Sequence, residues 1–265
     1  MRSATWSVAA CSLVLSLSWA SFGVTHVQAQ EQKWGDLEGS FELIGQAPAP
    51  KAIVVPPAGG CGAFNLLDES LVIGRRNGIA NIVVTLQPAA GVAPPIHPQA
   101  AAAAAQPSVF NNAQCRFDPR IGVVSVGQTL NIGNVDQVGH NVNAALFTDQ
   151  PFNVLVPTNG LVQKQFSAAE RLPMPVTCNI HPWMQGYLVI AATPYVAVTS
   201  DRGSFKIENL PVGNWRFRVW HERAGFVDDV TIANKKVAWP KGVVDVNVQP
   251  GKNELGRVGI DVNQF

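Results

Sequence analysis

The chain has 265 residues, a formal net charge of +1, 47% hydrophobic residues and only 14% charged ones. So even a balance leaves no polyelectrolyte signature, which makes nucleic acid and anionic membrane surfaces poor candidate partners. The length exceeds one small β-domain and falls short of two large ones, so two modest domains are expected.

The first element is Arg2 followed by the apolar run "WSVAACSLVLSLSWA" and by small residues at Val27 to Ala29. A run that short does not span a bilayer. The pattern predicts a secretory signal over residues 1–29, a periplasmic or secreted mature chain, and no membrane insertion after signal removal. Removal takes away Arg2 and Cys11 and leaves Cys61, Cys115 and Cys178. In an oxidising compartment three cysteines suggest one bridge and one thiol left over. A Cys61–Cys115 disulfide is expected, worth roughly 2 to 4 kcal/mol, with Cys178 as the odd one. A bare thiol there is open to oxidation unless it has a partner other than sulfur, which raises the question of a metal.

Beyond the signal, the runs "SLVIG", "NIVVTL", "GVVSVGQTLNIG", "YLVIA", "WRFRVW" and "VVDVNV" are each bounded by Gly, Pro, Asn or Asp and predict strands. In the last of them Val244, Val246 and Val248 alternate with Asp245 and Asn247, the period of a half-buried strand. No comparable stretch carries a helical period, so an all-β sandwich architecture is expected. The segment 91–107, "GVAPPIHPQAAAAAAQP", reads as a linker or mobile loop whose Ala run is free to take a short helical turn. His97 within it is expected to be solvated. A second border falls at Thr193-Pro194.

Ahead of the linker stand "GSFELIGQAPAP" and "IANIVVTLQP", and after the second border "TSDRGSFKIENLPVGNWRFRV". This last string resembles the carboxypeptidase regulatory-like, transthyretin-like sandwich in its acidic-Gly turn, "GSFKI" strand and "LPVG" turn. The resemblance implies that residues 30–90 and 193–265 form one outer sandwich, with residues 108–192 inserted as a second domain. His221, in "VWHER", is expected to make a satisfied surface or interdomain hydrogen bond.

Within the middle block, "CNIHPWMQGYLVI" sets Cys178, His181 and Met184 in one short loop directly before a strand, and "GHNV" offers His140 upstream. A mononuclear copper site that shuttles one electron asks for a thiolate, two imidazoles and a weak thioether. These strings, together with "FDPRIGVVSVGQTLNIGNVD", resemble the cupredoxin family, and amicyanin most closely in the C-x-x-H-x-x-M spacing. The resemblance covers about 75 residues, from Phe117 to Ile190. It implies a Greek-key β-sandwich and one copper ion held by His140, Cys178, His181 and Met184. It further implies that the Asn141 side chain ties the two ligand loops together. Electrons would pass through His181, with Pro182 and Trp183 as an apolar docking patch for a transiently bound redox partner; for Trp183, core packing is an equal alternative.

Other sites fit less well. Zinc has little use for a thioether. A binuclear copper centre needs a second loop cysteine, and position 174 is Met174. Multicopper oxidases and copper nitrite reductases need more histidines than His97, His140, His181 and His221. The expected protein is therefore not an enzyme but an exported electron carrier of the blue, type 1 copper kind, with the outer sandwich as scaffold or adaptor. The alternatives are a copper carrier that hands on metal and a binding module with a structural metal site.

Overall fold

The computed structural model describes residues 33–56 and 60–265. The expected signal over residues 1–29 lies outside the described residues. Among the described residues no helix is long and apolar enough to cross a membrane.

The period-two patterning is realised as strand almost throughout. Two strands precede the Pro/Ala-rich segment, β1 (Trp34–Ile44) and β2 (Val83–Leu86). The middle block carries β3 (Ser108–Ala113), β4 (Arg116–Asp118), β5 (Ile121–Ser125), β6 (Leu130–Asn134), β7 (His140–Ala144), β8 (Phe152–Val156), β9 (Leu161–Lys164), β10 (Met174–Thr177) and β11 (Gln185–Ala191). After it come β12 (Val196–Val198), β13 (Ser204–Pro211), β14 (Gly213–His221), β15 (Gly225–Phe226), β16 (Asp229–Ile232), β17 (Lys235–Ala238), β18 (Val243–Val248) and β19 (Gly251–Asp261).

These strands make two sandwiches. In the middle one, a sheet of order β5-β11-β10-β7-β8 faces a sheet of order β4-β3-β6-β9. Between them lie Phe110, Phe117, Leu130, Ile132, Val142 and Leu188, all buried. In the outer one, a sheet of order β13-β1-β19-β16-β17 faces β12-β2-β14-β15, with β18 paired to β14. Leu37, Phe41, Phe217, Val219 and Trp239 fill its core. The alternation decides which face goes inward: in β13, Phe205 and Ile207 are buried while Ser204, Lys206 and Glu208 face water.

The sandwiches meet through a third apolar cluster, in which Ile121, Val189 and Ala191 pack on Val83 and Trp220. The Tyr187 and Trp220 rings meet edge to face with centroids 4.9 Å apart. Beside them the Arg120 guanidinium forks onto the Glu222 carboxylate, Nε to Oε1 at 2.5 Å and Nη2 to Oε2 at 2.7 Å. A bidentate pair of this kind fixes orientation as well as separation.

Several expectations change on contact with the fold. The "SLVIG" run is not a strand. Residues 70–79 fold back on themselves, with the Gly74 amide bonded to the Gly78 carbonyl and a single 3-10 turn at Arg75–Asn77. Segment 91–107 carries a helix, α1 (Pro98–Ala104), and it is anchored. The Tyr195 hydroxyl donates to the Pro95 carbonyl (2.9 Å) and accepts from the His97 amide (3.1 Å). His97 itself is not simply solvated: Nδ1 caps α1 by accepting from the Gln99 amide, and the ring stands edge-on to Trp34 at 4.8 Å. Residues 53–56 and 60–67 lie over the middle sandwich, where Val55, Phe64 and Leu66 pack against its core. The Cys61–Cys115 disulfide pins that cover, with Cα atoms 5.8 Å apart across 54 residues of chain.

The expectation for His221 is also corrected. Its side chain is wholly buried, Nδ1 accepts from the Arg223 amide, and Nε2 has no hydrogen-bond partner. The ring lies perpendicular to that of Phe265 at 4.9 Å. Burial, aided by the charges of Arg120 and Arg223, drives its pKa down to about 3. It is a neutral core imidazole because β14 turns it inward rather than toward water.

Candidate metal centre

Two adjacent antiparallel strands bring the donors together. β7 begins at His140, and β10 ends at Thr177 immediately before Cys178, with Thr177 paired to Asn143. The loop from Cys178 to Met184 closes on itself: the Cys178 amide donates to the Met184 carbonyl (3.2 Å) and the Met184 amide to the His181 carbonyl (2.9 Å). Such a double closure sets Cys178, His181 and Met184 on one short turn at one end of a rigid sandwich.

The ring nitrogens His140 Nδ1 and His181 Nδ1 face each other at 2.9 Å, and Cys178 Sγ lies 3.7 Å from His181 Nδ1. All three donor atoms fall within 4.8 Å of one another and all three residues are buried. Among the described residues Cys178 is the free cysteine. Met184 is 1% exposed and belongs to the same core as Cys178.

Asn141 spans the two segments that carry the donor residues. Its side-chain oxygen accepts from the Asn179 amide (2.7 Å) and the Ile180 amide (3.3 Å), and the Cys178 thiol lies 3.3 Å from it. Its own amide points at the Cys178 sulfur at 3.4 Å, and its Nδ2 donates to Asn153 Oδ1 at 2.7 Å. A hydrogen bond onto the sulfur withdraws charge from a thiolate, one of the levers on a metal's potential.

One residue of the site was not singled out from the sequence. Asp136, buried, takes His140 Nε2 at 2.9 Å, the Gln114 amide at 2.6 Å and the Cys115 amide at 2.8 Å. With Nε2–H donated to that carboxylate, His140 presents an unprotonated Nδ1 to the donor cluster, which is the tautomer a metal requires. Burial holds the His140 pKa below the ordinary value, with Asp136 opposing. Burial lowers that of His181 as well, and the His140 charge adds to it. Both shifts favour the neutral form of each imidazole, the form that can donate to a metal. A second group, Cys115 with Asp136 and His140, also converges, but the Cys115 sulfur is spent in the disulfide.

Residue Cys115 supports both imidazoles at once. Its amide holds Asp136 behind His140, and its carbonyl accepts from Trp183 Nε1 at 3.2 Å. The Trp183 ring in turn packs on His181 at 5.2 Å. Trp183 is thus half-buried rather than a free surface ring, while Pro182 next to it and Ile180, 52% exposed, face water.

No family model matches the chain, and no curated relative matches it. Among solved structures it is similar in part to a copper-containing nitrite reductase from Thermus scotoductus SA-01, 20% identical over 39% of this chain and 25% of that one, at a TM-score of 0.30. It is similar in part to a purple cupredoxin from Nitrosopumilus maritimus, 20% identical over 32% of this chain and 99% of that one, at 0.27. A point mutant of amicyanin in its oxidised state is 22% identical over 40% of this chain and 97% of that one, at 0.29. The chain spans only a quarter of the nitrite reductase.

Fold and site together define an all-β protein of two sandwiches, the middle one gathering a buried His–Cys–His donor cluster at one end.

Proposed function

We propose that this chain is an exported, mononuclear type 1 copper protein that passes single electrons between redox partners. The observation that carries the reading is the convergence of His140 Nδ1, His181 Nδ1 and Cys178 Sγ in one buried cluster. Two imidazoles and a soft sulfur, with a methionine closing the same loop, are a donor set suited to copper and poorly matched to hard cations. Copper bound there would supply one-electron redox chemistry.

The chain's residues do the rest. Asp136 holds the His140 ring in register, Asn141 keeps the loop 178–180 against β7, and the cover formed by Val55, Phe64 and Leu66 with the disulfide keeps the supports of His181 in place. Rigid donors that barely move between two metal charges keep the reorganisation small. Ile180 and Pro182 leave an apolar rim beside His181, and Leu155, directly opposite Asn141 in the ladder, is 62% exposed on the same end. A small apolar rim suits weak, short-lived docking of a redox partner. The disulfide and the N-terminal segment support an exported location, and the outer sandwich serves as scaffold.

The test is the visible spectrum of the copper-loaded protein. A strong thiolate-to-copper band that bleaches with ascorbate and returns with an oxidant is expected. A colourless protein that takes zinc on the same ligands would instead make the metal structural.

A further inference from the structure

We propose a second binding site, on the outer sandwich and independent of the copper centre, that takes a multiply charged oxyanion of the phosphate type. The site is a cavity of about 380 Å³ walled by Arg75, Arg76, Arg202 and Arg257, with Ser40, Phe41 and Glu42 as its floor.

Its construction follows from the sheet. Ser40 and Arg257 are partners in the parallel β1–β19 ladder, so both stand on the outer face of that sheet. Two turns are then laid over this face. The 75–77 turn and the turn at 200–203 approach so closely that a Cβ on Gly78 would fall 2.2 Å from the Arg202 carbonyl carbon, and one on Gly203 2.0 Å from the Phe41 carbonyl oxygen. Main-chain bonds from the Phe41 amide to Gly203 and from the Ile79 amide to Phe41 lock both turns to β1. Arg76 sits at φ 58 and Asn77 at φ 59. The left-handed region is unfavourable for an arginine by about 1 kcal/mol, whereas asparagine adopts it readily. The fold thus uses glycine contacts and backbone strain to hold three arginines side by side.

Charge sets this end of the sheet apart from the rest of it. Further along the same face the two lysines of β13 and β19 are matched: Lys206 lies within 4 Å of Asp36, Glu38 and Glu208, and Lys252 of Glu38 and Glu254. At the cavity only Arg257 has a carboxylate, Glu42 at 3.5 Å. The side chains of Arg75, Arg76 and Arg202 have no hydrogen-bond or ion-pair partner among the described residues, and Asp201 is the one further acid in the two turns. Three uncompensated guanidiniums therefore face one concavity in a chain that is nearly neutral overall. All four cations are arginine. Its planar fork pairs two N–H groups with two oxygens of a tetrahedral anion, a geometry lysine lacks.

The experiment is calorimetric titration of the copper-loaded protein with inorganic phosphate and then diphosphate at low ionic strength. Saturable 1:1 binding, tighter for diphosphate and weakened by salt, is expected. Arg76→Gln and Arg202→Gln should each weaken it about tenfold, the loss of one charge-assisted pair. Lys252→Gln, on the same sheet face, should leave it unchanged. Far-ultraviolet circular dichroism and the thermal midpoint report that each variant is folded. Co-sedimentation with phosphatidylglycerol vesicles but not phosphatidylcholine vesicles, lost in both arginine variants, would make the source a lipid headgroup. Phosphate binding without such sedimentation would make it a soluble anion. No saturable phosphate binding and no arginine-dependent sedimentation, or an affinity equal in wild type and both arginine variants, overturns the site.

Discussion

The two sandwiches have apolar cores of the same kind, yet they treat buried polarity in opposite ways. The middle one concentrates it: Asn112, Asn134, Asp136, His140, Asn141 and His181 are all buried, most of them at the end where β7 and the 178–184 loop meet. Nearly every polar atom there has a partner. The outer one buries Thr199, which is satisfied by Ile79 and Ile82, and His221, whose Nε2 is not. Desolvating polar groups is unfavourable unless hydrogen bonds replace water. A sandwich that collects so many of them at one end is organised around chemistry, while its neighbour is organised around packing and presents its charge on the surface.

The sharpest way to break that contrast is at the sulfur. Cys178→Ser should abolish the visible band entirely, because a hydroxyl is a hard, scarcely ionised donor, while far-ultraviolet circular dichroism stays that of a β protein. Met184→Leu should keep the band and raise the reduction potential.

Next in size is the disulfide. Opening Cys61–Cys115 should destabilise the copper-free protein by about 4 kcal/mol, the loop-closure value for a loop of this length, read from denaturant midpoints with and without reductant. Since Cys115 backs both imidazoles, copper affinity should fall in the same samples. Unchanged midpoints would show the cover to be held by packing alone.

In the outer sandwich the pH dependence should come from His221. Its folded pKa, about 3, lies below the ordinary value near 6.5, so above pH 6.5 both states are neutral and it contributes no slope. Below that the unfolded chain takes a proton that the folded one refuses, and stability falls as pH drops toward 3. The expected slope is up to about 1.4 kcal/mol per pH unit. In copper-free protein His140 and His181 add to the slope in the same direction, so the readout is the part removed by His221→Gln. An identical slope in that variant would place the acid sensitivity wholly in the metal end.

The smallest effect expected is at Asp136. Asp136→Asn should loosen the His140 tautomer and weaken copper binding about 10- to 100-fold, the usual scale for such outer partners, measured by chelator competition. Fold and thermal midpoint should change far less than for the disulfide.

What could be read from residue order alone follows from how local each signal is. Cys178, His181 and Met184 are informative because seven consecutive residues carry three donors, and "GHNV" announces His140 at a strand start. Alternation in "VVDVNV" and "GSFKI" exposes strands because side-chain direction is set within two residues. Asp136 was in view, four places before His140, but its role depends on amides at Gln114 and Cys115, which only the fold brings near. "SLVIG" has strand composition, yet Gly74 and Gly78 are committed to close contacts with the 200–203 turn, a constraint invisible in the run itself. His97 and His221 depart from expectation for a related reason: one stands edge-on to Trp34 and the other perpendicular to Phe265, ring contacts that only the fold brings together.

The longest ladder in the molecule joins β1 to β19, in parallel, from Gly35 with Gly251 to Ile44 with Asp261. During synthesis every strand of the middle sandwich has been made by Ala191, while β1 still lacks the neighbour that fills the middle of its sheet. The order of emergence therefore lets the inner sandwich mature first and leaves the outer one waiting on the last stretch of chain, since nonlocal parallel pairing is slow to form. A ribosome that stops short of residue 251 would release a polypeptide with one finished half and one open strand edge, the form most prone to stick to its own kind.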